Sequence, residues 1–182
     1  ILRIFADALV TADHHEIGVG FNNKGFNFLF SISYILKHLC VKYYGCTGTG
    51  LSSLSFSMEM KLLPMNDSVK VICVVRTGQT DVPDSDVRFY DTTWKELPTD
   101  DYFSLPPEDA FYLPADSIGK VQDKVRKMAD MFLVKYSLSV ERPILEAEYT
   151  TPGYLNEEDR KELLKYLRKE PLVLEWKNGR FE

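Results

Sequence analysis

Apolar and polar residues alternate most strictly over Leu54–Leu62, LSFSMEMKL, where Leu54, Phe56, Met58, Met60 and Leu62 fall on one side of an extended chain and Ser55, Ser57, Glu59 and Lys61 on the other. A period of two predicts a β-strand. Pro64-Met65-Asn66-Asp67 follows as a turn, and Val69–Arg76, VKVICVVR, is apolar enough for a central strand. Thr77-Gly78-Gln79 interrupts it. After Val82-Pro83-Asp84 a third strand is predicted over Asp86–Tyr90, with a short continuation around Trp94. An opening strand is predicted over residues 1–11, which are rich in apolar and β-branched side chains, and a polar loop punctuated by Gly18 and Gly20 over Asp13–Gly20.

Between Ile17 and Tyr44 two periods compete. Ile17, Val19 and Phe21 alternate up to Asn22-Asn23-Lys24-Gly25, and Phe26, Phe28, Phe30 and Ile32 alternate away from it, which spells a hairpin. Read with the period of an α-helix, Asn22 or Asn23 caps a helix with Leu29, Ile32, Leu36, Leu39, Cys40 and Tyr43 on its buried face, ending at Gly45. The helical register extends further, so a long apolar helix from about Lys24 or Phe26 to Tyr44 is favoured, although Gly25 sits badly inside it. Gly45–Gly50 is then a flexible connector.

Further on, Pro106, Pro107 and Pro114 among Tyr102, Phe103, Phe111 and Tyr112 make Asp100–Pro114 an ordered loop over the core. Ile118, Val121, Val125, Met128 and Phe132 predict an amphipathic helix over Asp116–Tyr136, and Ser137–Pro143 a break. Ile144–Thr150 reads as a strand. Asn156 caps a helix, NEEDRKELLKYLRK, with acids early and bases late, as the helix dipole prefers. Leu172–Trp176 and Arg180-Phe181, on either side of Lys177-Asn178-Gly179, predict a last hairpin. The expected organisation is an α+β domain over residues 1–140, an antiparallel sheet around a long apolar helix, with a helical and hairpin extension over residues 141–182 packed on it.

Composition narrows the function. With 182 residues the chain can bury a sizeable core. A net charge of −5 without a basic stripe argues against a nucleic-acid partner. Cys40, Cys46 and Cys73 form no CxxC pair, so free thiols in a reducing, cytoplasmic compartment are expected, without a zinc site. Lys37, His38 and Lys42 break the best apolar run, so no membrane span is expected. Adjacent residues of an extended chain face opposite ways, so His14 and His15 do not converge on one ion with Glu16. GCTGTG lacks the Gly-Lys-Ser/Thr ending of a phosphate loop, and Ser52, Ser53, Ser55 and Ser57 lie outside a nucleophile elbow. No cofactor is expected.

One stretch sets polar groups against a greasy segment. Asp13-His14-His15-Glu16-Ile17-Gly18-Val19-Gly20-Phe21-Asn22-Asn23, followed by the predicted aromatic-rich helix, resembles the hotdog-fold acyl-CoA thioesterases of the hydroxybenzoyl-CoA thioesterase-like type. Leu63-Pro64-Met65-Asn66-Asp67 is similar to the turn joining two of that family's strands, although Asn66 stands where a glycine is usual. The likeness runs from about Leu2 to Asp91. It implies a hotdog-like fold and hydrolysis of an acyl thioester on coenzyme A or an acyl carrier protein, in a homodimer or higher oligomer. In such a site Asp13 is the base or nucleophile, with Glu16 in reserve. The Gly18 or Gly20 amide is the oxyanion donor, and Asn22 or Asn23 orients water or substrate. The same residues also serve as loop, turn and capping groups. The alternative function is a non-catalytic domain for acyl-ligand binding or for protein–protein interaction and assembly.

Overall fold

A computed structural model describes residues 17–23, 26–35, 38–47, 54–78, 80–114 and 129–182; for the first three segments and residues 54–55 it gives the backbone alone. Seven strands follow one another in sequence order as an antiparallel meander: β1 (Ile17–Asn23), β2 (Phe26–Ile35), β3 (His38–Thr47), β4 (Leu54–Pro64), β5 (Lys70–Gly78), β6 (Asp84–Asp91) and β7 (Glu96–Leu97). A second antiparallel sheet has β8 (Val134–Leu138), β9 (Ile144–Tyr149), β10 (Leu172–Lys177) and β11 (Arg180–Phe181) in the order β11-β10-β9-β8, drawing strands from both sides of residue 140. The helix α1 (Glu157–Leu163) lies between β9 and β10 in the chain, and the Asn156 side chain accepts from the Asp159 N–H at its start, as its sequence predicts.

The expected hotdog-like fold is corrected by this architecture. Phe26–Ile35 and His38–Thr47 are strands, β2 paired with β1 and with β3, and β3 with β4, so no long apolar helix runs from Lys24 or Phe26 to Tyr44. Lys24, Gly25, Leu36 and Lys37 lie outside the described residues. The segment carried both periods, and the eight-pair ladder that β4 offers β3 decides for the strand; a helix would leave that edge of β4 unpaired. The Asp116–Tyr136 helix falls partly outside the described residues, and its last turn is overturned: Val134–Tyr136 belongs to β8. Among the described residues α1 is the one α-helix, and none is long and apolar enough to cross a membrane.

Both faces of the β4–β6 region are apolar. On one, Leu63, Val71, Cys73, Val75, Val87 and Phe89 pack on Tyr136, Leu138, Leu145 and Ala147 of the second sheet and on Phe103 and Phe181, forming the main core. On the other, Met60, Ile72 and Val74 are buried with Met58, Leu62, Tyr90 and Trp94 around them. The alternation of β4 therefore has an unusual outcome. Its polar side, with Ser57, Glu59 and Lys61, is the side turned to the second sheet, and all three are buried.

What lies opposite explains the inversion. β8 is an edge strand, and alternate N–H groups of an edge strand have no ladder partner. Here the Val134, Tyr136 and Leu138 N–H groups donate to Asp84 Oδ1 (3.1 Å), Ser85 Oγ (3.0 Å) and Glu59 Oε2 (2.7 Å). Lys61, wholly buried, donates through Nζ to the carbonyls of Ser139, Val140 and Arg142 in the β8–β9 turn. Three acceptors match the three donors of an ammonium. Polar residues of the large sheet thus complete the backbone of the small one.

Candidate functional site

The other edge of the small sheet is built differently. Trp176 N–H donates to the Pro143 carbonyl (2.9 Å) on the β9 side, whereas Glu175 exchanges two bonds with Glu182 (2.8 and 3.0 Å) on the β11 side. Bonding directions alternate along a strand, so Val173, two residues before Glu175, also turns its N–H and C=O to the β11 side. β11 and Glu182 reach only as far as Glu175. Val173 faces the gap beyond them.

A loop bounds the far side of this gap. Phe181 N–H donates to the Tyr102 carbonyl (2.8 Å), which fixes the loop beside β11, and Arg168 N–H donates to the Phe111 carbonyl (2.9 Å), which fixes its other end beside the start of β10. Between them run Ser104, Leu105, Pro106 and Pro107. The two prolines lack N–H groups, so this wall cannot close the gap as a strand of its own. The result is a slot of about 490 Å³, with Leu172, Val173 and Leu174 on one side, Ser104–Pro107 on the other, and Arg180, Phe181 and Glu182 among its lining. Leu105 and Val173 stand 67% and 52% exposed at its walls, the largest apolar exposure on each side.

The turn that leads into β11 follows from local sequence. Asn178 (φ 50°) and Gly179 (φ 83°) are the two positive-φ residues a tight primed hairpin turn needs. The positive φ of Gly179 favours glycine there, and a Cβ would also stand 2.7 Å from Met65 Cε, which the flexible methionine would have to shift to admit. Phe181 then enters the main core, and the outward-facing Arg180 reaches Ser104, donating from Nη2 to Oγ at 2.6 Å. Among the described residues Arg180 forms no ion pair. Nearby, Glu175 is held below the ordinary carboxylate range chiefly by its hydrogen bond and charge contact with Lys177, at 2.8 Å.

A second cleft of about 410 Å³ lies between β9 and the segment after α1, lined by Phe111, Tyr149, Leu164, Leu167 and Arg168 among others. Its principal polar group is already engaged: Tyr149 and Tyr112 both donate to Glu108 Oε1 (3.1 and 3.2 Å), and burial raises both phenol pKa values above the ordinary one. This cleft reads as a packed aromatic corner. Among the described residues no group of three or more His, Cys, Asp or Glu could hold a metal ion.

The residues singled out from sequence lie elsewhere. Asp13 and Glu16 fall outside the described residues. Gly18, Gly20, Asn22 and Asn23 stand in β1 opposite Ser31, Leu29, Asn27 and Phe26 of β2. Gly18, Gly20 and Asn22 share one face of the sheet by register and Asn23 takes the other, in a ladder where a helix N-terminus was expected. Sequence reasoning missed Ser104, Leu105, Val173 and Arg180. No local pattern marks these residues, because they meet only across the fold.

No curated protein matches the chain. A solved structure described as a domain of an uncharacterized protein from Porphyromonas gingivalis W83 is similar at 28% identity with a TM-score of 0.78, covering 100% of this chain and 89% of that one. Residues 50–181 match the model of the family described as Protein of unknown function (DUF3256), and the chain belongs to that family.

Proposed function

We propose that the protein is a non-catalytic interaction module that takes an extended peptide segment into the slot beside β10, as an added strand. The observation that carries this reading is Val173, whose N–H and C=O face the side of β10 on which a cleft of about 490 Å³ is lined by exposed Leu105 and Val173. Main-chain bonds to an open edge supply affinity in such recognition, and flanking apolar contacts supply selectivity. A segment of about three residues, roughly 10 Å long when extended, spans the uncovered part of β10. Burying Leu105 and Val173 against it contributes on the order of 1.5–3 kcal/mol for each side chain.

Thioester hydrolysis receives less support. Its oxyanion donor and acyl slot were argued from a helix following Asn23, and the chain continues there into β2. A second copy of this chain is also a poorer occupant. Two antiparallel β10 strands related by a two-fold axis at Val173 would set Pro171 of one copy opposite Glu175 of the other, a position that Glu182 already fills. The acidic chain likewise suits a peptide better than a nucleic acid.

The test uses blocked hexapeptides of alternating Val and Thr, with amide hydrogen exchange as one readout and fluorescence anisotropy as the other. Bound peptide is expected to slow exchange at the Val173 amide. Val173→Pro removes the one N–H involved while leaving the β9 ladder intact, and is expected to weaken binding about tenfold or more without unfolding the sheet. Peptides that leave the Val173 amide as exposed as before would end this reading.

A further inference from the structure

We infer that the cleft beside β9 is a binding site for a small carboxylate with an apolar body, its head held by the Tyr149 N–H and the Arg168 guanidinium. This site is separate from the slot at β10 and does not rest on strand addition there.

The cleft opens where the ladder between β9 and β10 stops. Thr150 N–H donates to the Leu133 carbonyl on the β8 side, so Tyr149 turns its N–H and C=O the opposite way, toward β10. The last pair on that side is Ala147 with Leu172. Beyond it Pro171 has no N–H to offer, and residues 166–168 are drawn toward residues 111–113: Leu113 N–H donates to the Tyr166 carbonyl (2.8 Å) and Arg168 N–H to the Phe111 carbonyl (2.9 Å). The main-chain groups of Tyr149 therefore find no hydrogen-bond partner among the described residues, and they border about 410 Å³ of open space.

A cleft of this size suits a small organic ligand. Its floor is packed, with the Phe111 and Tyr149 rings stacked at 5.4 Å. Leu164, 51% exposed, and the buried Leu167 complete an apolar wall for the body of the ligand. Charge decides the head. Of the four charged side chains in the lining, Glu148 pairs with Lys135 at 3.7 Å, while Arg168, Lys169 and Glu170 form no ion pair among the described residues. Two cations against one free acid favour an anion, and the Tyr149 N–H adds a donor fixed by the strand. A carboxylate accepts the fork of a guanidinium and keeps a lone pair for that N–H. An ammonium head would face the two cations instead.

Phenylpropionate, phenylpropionamide and phenylpropylamine share one apolar body and differ in the charge of the head. Each is titrated into the whole chain and followed by amide chemical shifts. The carboxylate is expected to move the Tyr149 resonance and to bind at least about tenfold tighter than the amide, with the amine weakest. Arg168→Gln is expected to remove the advantage of the carboxylate while the amide still binds. That side chain is exposed and the main-chain bond to Phe111 is kept, so the thermal melt should stay in place. Leu164→Ala should weaken carboxylate and amide alike. Equal binding of carboxylate and amine overturns the anion assignment, and a Tyr149 resonance unmoved by all three probes overturns the site itself. Neither outcome bears on strand addition at β10, which is read at the Val173 amide.

Discussion

At one edge of the four-stranded sheet the outward N–H groups of Val134, Tyr136 and Leu138 meet Asp84, Ser85 and Glu59; at the other, Val173 turns the same kind of groups toward a slot bounded by a proline-containing loop. Both are strand edges, and both present backbone groups that need partners. The β8 edge is completed from within, by side chains that the large sheet gives up from its own polar rows. Along β10 the outward N–H of Val173 meets no such side chain among the described residues. Glu59, Lys61, Asp84 and Ser85 together complete the β8 edge and its turn, and none of them reaches the β10 edge.

The comparison is broken most severely at Lys61. Lys61→Ala leaves three carbonyls of the β8–β9 turn without their ammonium donor, and is expected to cost about 3 kcal/mol, at roughly 1 kcal/mol for each hydrogen bond lost. Urea denaturation measures it. A loss below about 1 kcal/mol would mean that water readily takes the place of the ammonium.

How much of this was legible in the sequence follows from the same residues. The alternation of Leu54–Leu62, the apolar run of Val69–Arg76 and the strand pattern of Asp86–Tyr90 correspond to β4, β5 and β6. Asn156 and Asn178-Gly179 announced a helix cap and a hairpin, both present. Where Phe26–Tyr44 satisfied two periods at once, local pattern could not choose, because the choice belonged to a partner strand, β4, seen only in the fold. The polar side of β4 is a subtler case. Alternation marks two sides and says nothing of which is buried, and the side with the Glu and Lys went inward because an edge strand needed acceptors and donors there. The slot was invisible for a different reason: its two walls, Ser104–Pro107 and Leu172–Leu174, are far apart in sequence and meet only in the fold.

Ser85 tests the sealed edge at one bond. Its Oγ accepts from the Tyr136 N–H at 3.0 Å and stands 2.7 Å from Thr77 Oγ1. Ser85→Ala leaves a buried N–H unsatisfied, so a loss of about 1–3 kcal/mol is expected in the same denaturation experiment. Val134→Leu is no substitute for this test, since it alters packing without touching a bond.

Tyr136 sharpens the comparison in the opposite direction. Its hydroxyl is buried and finds no hydrogen-bond partner among the described residues, while its ring packs edge-on to Phe103. Tyr136→Phe removes an unsatisfied polar atom and keeps the ring, so it is expected to stabilise the protein by roughly 1 kcal/mol. Burial, and secondarily the charge of Asp84, raises the Tyr136 pKa above the ordinary tyrosine value. A raised folded-state pKa contributes stability that is present below about pH 10 and is lost as pH rises beyond the unfolded-state value. Wild type should therefore lose more stability than the Phe variant between pH 9 and about 11. Equal losses would assign the alkaline sensitivity to Tyr112 and Tyr149.

The smallest expected effect on stability is also the one that separates the two edges. Val173 is exposed and turns its bonding groups away from β9, so Val173→Lys should change the unfolding free energy by no more than about 0.5 kcal/mol. A lysine on an open edge is a recognised obstacle to strand addition, because its ammonium must be desolvated as the incoming strand docks. Peptide binding should fall steeply in this variant while the melt stays in place. The reverse result, a destabilised protein with intact binding, would show that the uncovered stretch of β10 supports the fold as the β8 edge does, and the contrast between the edges would vanish. Stability and binding are thus expected to come apart at Val173, whereas at Lys61 loss of binding could follow only from loss of the fold. That separation is the physical content of calling one edge structural and the other receptive.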